Sequence, residues 1–384
     1  MNIVDIIDDT VFQCCTCKTT RDCKTFLSQG NFGIYQTNIC RINAHFDEFL
    51  IYFNEIKDDI QVLIFTETWH CQVDITKFNI NGFSRYHSEH FINSSTGIVV
   101  FVKNDIDIIC SEIILNTSIA LLLSINIDVK IKILCLYRTP SFCAKLFITE
   151  FKHVLNTYFS QNNKRDHNVV IGDININILS NSIDIYYNNY LDLMSEFGFF
   201  SLINEITRET SSTESCIDHC FYNGPISLQS NNINSCIFKN DITDHYSVLL
   251  TLKLNQTRKI EKQECRSINK LNLEQFVALI SQENWNNIYN EKDINKKAEI
   301  LNKTIIMHKT KATTIKKIKN KNVPLKPWIT PGILTSINKR NELAVKVKKH
   351  QSNEKLVSYY KKYRNKLSTL LHKCKNDYYK NHSF

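Results

Sequence analysis

NVVIGDININIL, residues Asn168–Leu179, is the stretch on which the reading of the fold turns. Val169, Val170 and Ile171 form a β-branched run that suits a strand buried on both faces. Gly172 closes the run, and Asp173 and Asn175 follow two residues apart. If the chain stays extended past the glycine, both polar side chains emerge on one side at the strand's end, with Ile174 between them turned into the core. Taken alone, the stretch is also explained by a polar turn closing a strand, where Asp, Asn and Gly are common. What decides between the two is what the rest of the chain sets beside it.

Outward from this run, short β-rich segments alternate with helical ones from Gly33 to Leu254. The patterning predicts strands over Ile34–Thr37, Val62–Thr66, Gly97–Val102, Ala120–Ile127, Lys132–Tyr137, Asn168–Gly172, Cys216–Phe221 and Val248–Leu252. It predicts helices over Ala44–Ile56, Phe147–Phe159 and Tyr186–Phe197, the last closed by Gly198. Residues 33–254 therefore read as one α/β domain, preceded by a poorly ordered segment over residues 1–32. Residues 255–384 read as a basic helical region. Leu271–Asn286 and Lys297–Lys309 look helical there, and Lys316–Lys326 (KKIKNKNVPLK) reads as a linker. Leu356, Tyr360, Tyr363, Leu367, Leu370, Cys374 and Tyr378 recur at helical spacing with lysines opposite, a packing stripe whose partner is expected outside this chain.

Charge divides the same way. Residues 255–384 hold 29 Lys/Arg against 10 Asp/Glu, and residues 1–254 hold 18 against 28. An acidic body with a basic tail points to a polyanion, DNA or RNA, as the tail's partner. No apolar run approaches the ~18 residues of a membrane span, so no membrane partner is expected. MNIVDIIDDT lacks the basic start of an export or transit signal, which predicts an intracellular protein, nuclear or cytoplasmic. In such a compartment the 14 cysteines are expected as reduced thiols. Their densest group, Cys14, Cys15, Cys17 and Cys23, has no CxxC pair and no paired histidine, and it reads against a zinc site. His87/His90 and His70/Cys71 read as ordinary surface or core residues.

Several polar groups stand at the ends of apolar runs and are of complementary types. Asn38 follows GIYQT, Glu67 follows VLIFT, Tyr137 ends KILCL, and Asp218 sits in SCIDHC. Asp244 and His245 open the last strand in DITDHYSVLL. The set suits metal-assisted phosphodiester hydrolysis. Mg²⁺ takes hard oxygen ligands and keeps several waters, so one or two carboxylates suffice, and Mn²⁺ accepts the same donors. Glu67 is the expected main ligand, with Asn38 and Asp244 nearby. Asp173 is the candidate to orient or deprotonate the attacking water, and Asn175 to hold the phosphate or that water with its amide donors. His245, oriented by Asp218, is the candidate to stabilise phosphoryl charge, with Tyr137 donating to a phosphate oxygen.

The order and wording of these segments resemble the endonuclease/exonuclease/phosphatase superfamily, and more closely the apurinic-endonuclease-like domain of non-LTR (LINE-type) retrotransposons. The matching segments are TNICRINAHFDEFL (Thr37–Leu50), LIFTETWH (Leu63–His70), TGIVVFVKND (Thr96–Asp105) and LYRTPS (Leu136–Ser141). VVIGDININIL (Val169–Leu179), LINEITRETSSTESCIDHCF (Leu202–Phe221) and DITDHYSV (Asp241–Val248) complete the set in family order. The resemblance implies a four-layer α/β/β/α sandwich with a basic helical extension and the site at one edge of the paired sheets. It places Asn38, Glu67, Tyr137, Asp173, Asn175, Asp218, Asp244 and His245 in the catalytic and metal site. Thr207 and Arg208, with Arg138 and Thr243, are the candidates for DNA contact. KPWITPGILTSINKRNEL (Lys326–Leu343) is similar to the segment that links endonuclease to reverse transcriptase in these elements. The polymerase's aromatic-Ala-Asp-Asp motif does not occur in this sequence, which therefore reads as the front half of an element's second open reading frame.

Three positions depart from the family pattern. Ile174 replaces an aromatic residue, Cys40 stands where an arginine is frequent, and Thr96 replaces the first of a glycine pair. None removes a residue the chemistry needs. The expected activity is Mg²⁺-dependent nicking of one DNA strand to leave a 3′-hydroxyl. The alternatives are the same fold acting on a phospholipid, an inositol phosphate or poly(A), and an inactive or co-opted nucleic-acid-binding remnant.

Overall fold

The computed structural model describes residues 14–160, 165–179, 185–210, 212–225, 232–254, 265–319, 328–350 and 352–382. In chain order the first elements are β1 (Cys15–Cys17), α1 (Thr20–Leu27), β2 (Phe32–Asn38), α2 (Ile42–Ile56), β3 (Val62–Thr66), β4 (Phe83–His87) and β5 (Ile98–Lys103). Next come β6 (Ile108–Ile114), β7 (Ser118–Asn126), β8 (Lys130–Arg138), α3 (Ala144–Phe159), β9 (His167–Asp173) and α4 (Ile185–Glu196). The body ends with β10 (Phe200–Ser201), β11 (Arg208–Glu209), β12 (Glu214–Ser215), β13 (Asp218–Asn223), β14 (Ile233–Phe238) and β15 (Ser247–Leu252). Two large sheets result, ordered β1-β14-β15-β2-β3-β5-β4 and β10-β13-β9-β8-β7-β6.

Strand alternation builds the layers. On β2, β3 and β5, Phe32, Ile34, Val62, Ile64, Ile98, Val100 and Val102 join a core cluster with β7, β8 and β9 of the second sheet. The intervening Tyr35, Leu63, Phe65, Val99 and Phe101 join a separate cluster with Phe46, Phe49 and Phe53 of α2 and Phe26 of α1. The second sheet is covered by Phe147, Phe151 and Leu155 of α3 and by Leu193 and Met194 of α4. The order is helices, sheet, sheet, helices: the four-layer sandwich implied by the sequence. Each sheet carries a parallel pair at its centre, β2 with β3 and β8 with β9. Ligands gather at the carboxyl ends of such strands.

The body reaches further toward the N-terminus than residue 33. Residues 1–13 lie outside the described residues, but β1 pairs with β14. α1 is closed by a capping box from Thr19 and Asp22 and buries Cys23, Phe26 and Leu27. β4, β6 and β14 were not predicted. β6 alternates half-buried and exposed positions at a sheet edge, so no continuous apolar run announces it.

The contacts divide the chain into two units, one of residues 1–258 with 325–384 and one of 259–324. In the first, α8 (Pro331–Lys349) and α9 (Glu354–His382) bring Trp328, Ile329, Ile333, Ile337 and Leu367 against Ile51 and Tyr52 of α2. Arg340 pairs with Glu48 and Lys375 with Asp47. The apolar stripe on α9 therefore finds a partner within this chain, contrary to the sequence reading. The second unit is a hairpin of β16 (Cys265–Leu271) and β17 (Thr313–Lys319) with α5 (Leu273–Ser281), α6 (Asn286–Asn290) and α7 (Ile294–Lys311). Part of the segment read as a basic linker is thus strand, and residues 320–327 lie outside the described residues. No helix among the described residues is long and apolar enough to cross a membrane.

Candidate active site

On β2 the residues facing the second sheet change character along the strand: Phe32 and Ile34 are apolar, Gln36 and Asn38 polar and fully buried. The second sheet changes at the same level. Tyr137 of β8, Asp173 of β9 and Asp218 of β13 are register partners in one row. Buried polar groups are costly unless paired, and here they pair across the gap between the sheets. Asn38 Nδ2 donates to Asp173 Oδ2 at 2.9 Å. Tyr137 OH donates to Glu67 Oε1 at 2.8 Å. His245 Nδ1 lies 2.7 Å from Asp218 Oδ2, whose other oxygen receives Gln36 Nε2 at 3.4 Å. The His245 Nε2 edge faces Asn38 Nδ2 at 3.4 Å.

The backbone around these groups is strained. Among the described residues, the non-glycine residues with positive φ are Cys40, Arg41, Glu67, Trp69 and Asn175. All five fall in the loops that carry Asn38, Glu67 and Asp173, and such strain collects where function holds it. The loops after β2 and β3 are tied by Arg41 N–H to Glu67 O at 2.9 Å and Ile42 N–H to Thr68 O at 3.0 Å.

Asp173 is the most perturbed carboxyl. Its burial, with Asp218 beside it, pushes it up to about 8, against the pull of His245. Burial opposes the charged form of His245, yet the Asp218 carboxylate bonded to it pushes it up to about 9. Asp244 stands at the mouth with its side chain 42% exposed and accepts from Arg208 Nε at 2.8 Å. Burial works against its charge, but Arg208 and His245 hold it below the usual carboxylate range. The Cys40 thiol is raised by burial and then by both Glu67 and Asp244.

The donor set fits a hard divalent cation. Glu67, Asp173 and Asp218 converge with His245 as the cation buried among them, and Asp173 cannot ionise easily in that company. Asp173, Asp218 and His245 have ligand atoms within 4.8 Å of one another. A divalent cation bound by oxygens would offset the surplus charge.

The structure changes the tasks of five predicted residues. The chain does not stay extended past Gly172: Asn175 has φ +53°, its N–H donates to Asp173 Oδ1 at 3.1 Å, and its Nδ2 donates to Arg138 O at 2.8 Å. One amide donor is thus used on backbone. Tyr137 orients Glu67 rather than reaching outward. Arg138, 4% exposed, donates to the carbonyls of Ile174, Asn175 and Phe142 and so shapes the Asp173 loop from behind. Thr207 is fully buried, its Oγ1 accepting the Ile217 and Asp218 N–H groups at 3.0 Å. Thr243 Oγ1 donates to Asn38 O at 3.1 Å and accepts from His245 N–H, fastening that turn to β2. Arg138 and Thr207 are thus buried behind the site and Thr243 is half-buried, while Arg208 keeps its side chain 40% exposed.

Two features escaped the sequence. Gln36 supports Asp218, and its place two residues before Asn38 was the available signal. Arg41 lies over the Trp69 ring at 4.6 Å beside the strained loops, which no spacing announces.

The family described as Female sterile protein K10 C-terminal domain matches residues 329–383, the α8–α9 pair. No curated protein matches the chain. Among solved structures, the endonuclease domain of TRAS1, a telomere-specific non-LTR retrotransposon, is 16% identical with a TM-score of 0.46, over 59% of this chain and 99% of that one. The catalytic domain of Xenopus laevis APE2 is 16% identical at 0.45, over 60% and 98%. An AP endonuclease from Archaeoglobus fulgidus is 12% identical at 0.44, over 58% and 100%.

Proposed function

We propose that this chain is a metal-dependent phosphodiesterase that nicks one strand of DNA and leaves a 3′-hydroxyl. The observation that carries the reading is the set of cross-sheet pairs, Asn38–Asp173, Tyr137–Glu67 and His245–Asp218, at the carboxyl ends of both central parallel pairs. Glu67 would be the main ligand for Mg²⁺ or Mn²⁺, with Asn38 and Asp244 beside it, and such a cation would supply polarisation of the phosphoryl group and stabilisation of the leaving alkoxide. Tyr137 fixes the Glu67 carboxylate. Asp173, poised near neutrality and steadied by Asn38 and the Asn175 N–H, takes the proton of the attacking water. His245, kept charged by Asp218, faces the phosphoryl oxygens and offsets their growing charge. The free amide donor of Asn175 reaches the phosphate. Arg208 and Arg41 at the opening meet the DNA backbone, and the lysines of the tail add contact with DNA or RNA that weakens with salt.

Nicking of supercoiled plasmid is expected in Mg²⁺ and lost in EDTA, and a DNA polymerase should extend the nicked circles. Turnover of a phospholipid or an inositol phosphate without DNA cleavage would overturn the substrate. Nicked circles that a polymerase cannot extend would overturn the polarity of the cut.

A further inference from the structure

A group of thiols on the outer face of the first sheet lies apart from this chemistry. Along β1, Cys15 and Cys17 are two residues apart and face one side. Thr16 between them turns away, its Oγ1 donating to Glu205 at 2.9 Å, and Cys14 joins the core between the sheets. β1 runs parallel to β14 with Cys15 beside Cys236. Cys17, Cys236 and Cys23 of α1 all enter the core cluster beneath α1 and α2. The sulfurs of Cys15, Cys17 and Cys236 lie within 4.8 Å of one another, with Cys17 and Cys236 3.1 Å apart. All four are free, and Cys15 is exposed, leaving an ion a way in.

We propose that Cys15, Cys17, Cys23 and Cys236 form a structural thiolate site for a soft divalent cation of the Zn²⁺ kind. Tetrahedral zinc with Zn–S bonds of about 2.3 Å sets its sulfurs about 3.8 Å apart. The sulfurs of Cys15, Cys17 and Cys236 already lie within 4.8 Å of one another, and Cys23 of α1, buried in the same cluster as Cys17 and Cys236, is the fourth donor the site would draw in. Thiolates select such a cation over Mg²⁺, which takes oxygen. Binding releases the proton of each thiol to solvent and leaves a doubly negative complex. The structural return is clear: β1 has three residues and pairs only with β14, an edge too short to hold by itself. A bound cation fastens β1, α1 and β14 together.

The test is Co²⁺ titration of the full chain, with thiols reduced and Mg²⁺ present to fill the oxygen sites. One equivalent should bring up a thiolate-to-cobalt charge-transfer band and the visible spectrum of a tetrahedral site, and Zn²⁺ should bleach both. Cys236→Ser and Cys15→Ser should each lose the band, while Cys71→Ser, an exposed thiol outside the group, should keep it. Cys15 is exposed, so its variant separates lost binding from lost folding when circular dichroism is unchanged. No band with all thiols reduced, or a band that survives both substitutions, overturns the proposal. So does a Cys17–Cys236 disulfide found by mass spectrometry in chain isolated without oxidant.

Discussion

His245→Ala is expected to slow DNA nicking by about 10²–10⁴-fold, the range of a positioned acid, base or charge-stabilising group. The imidazole is buried, bonded to Asp218 at 2.7 Å, and turns its other edge to Asn38. Removing it takes away the cation facing the phosphoryl oxygens and strands the Asp218 carboxylate, which costs about 3–5 kcal/mol when one partner of a buried pair is deleted. The two losses separate in the double variant His245→Ala with Asp218→Asn. Stability by urea denaturation should recover in part, because no charge is then left unpaired, and nicking should stay as low as in the single variant. Nicking by His245→Ala within about threefold of the parent would remove the imidazole from the chemistry.

Gly172→Ala is expected to destabilise the fold by about 2–6 kcal/mol, combining backbone strain with overpacking. Gly172 has φ +149°, and a Cβ there would stand 1.8 Å from the Leu136 carbonyl oxygen of β8. That contact is to backbone of the adjoining parallel strand, so no side chain can turn aside for it. The close approach seats Asp173 level with Tyr137 in the register row. A denaturation midpoint unchanged from the parent would show that the β8–β9 ladder does not need this approach.

Most of the architecture was legible because its strands are apolar on both faces. Val62–Thr66 was predicted to its ends, and the strands around Ile34, Val100 and Ile171 were found with ends misplaced by one or two residues, as buried runs flanked by polar ends allow. Edge strands such as β6 bury one side only and carry no such run. In the site, the residue types were readable, since Glu67, Asp173, Asp218 and His245 each interrupt an apolar run. Their tasks were not, because a hydrogen-bond partner across two sheets leaves no trace in local spacing. Arg138 and Thr207 looked like nucleic-acid contacts by type, and only burial shows that they brace the Asp173 loop and the Asp218 strand. Asn175 shows the limit of the period-2 argument: its positive φ breaks the extended chain just after the strand's end. The gathering of the thiols was not legible either, because it depends on strand pairing. Cys236 is remote from Cys15 in sequence and adjacent to it only through the parallel β1–β14 pair.

The tail carries a related lesson. Its basic excess pointed to a polyanion as partner, and part of that charge is taken up inside the chain, where Arg340 and Lys375 pair with acidic residues of α2.

The most direct measurement is the rate of supercoiled-plasmid nicking in Mg²⁺ by the parent chain and by Asp173→Ala, side by side. The account predicts nicking by the parent and a rate at least about 10²-fold lower for the variant, since Asp173 takes the proton of the attacking water. Equal nicking by the two would contradict it.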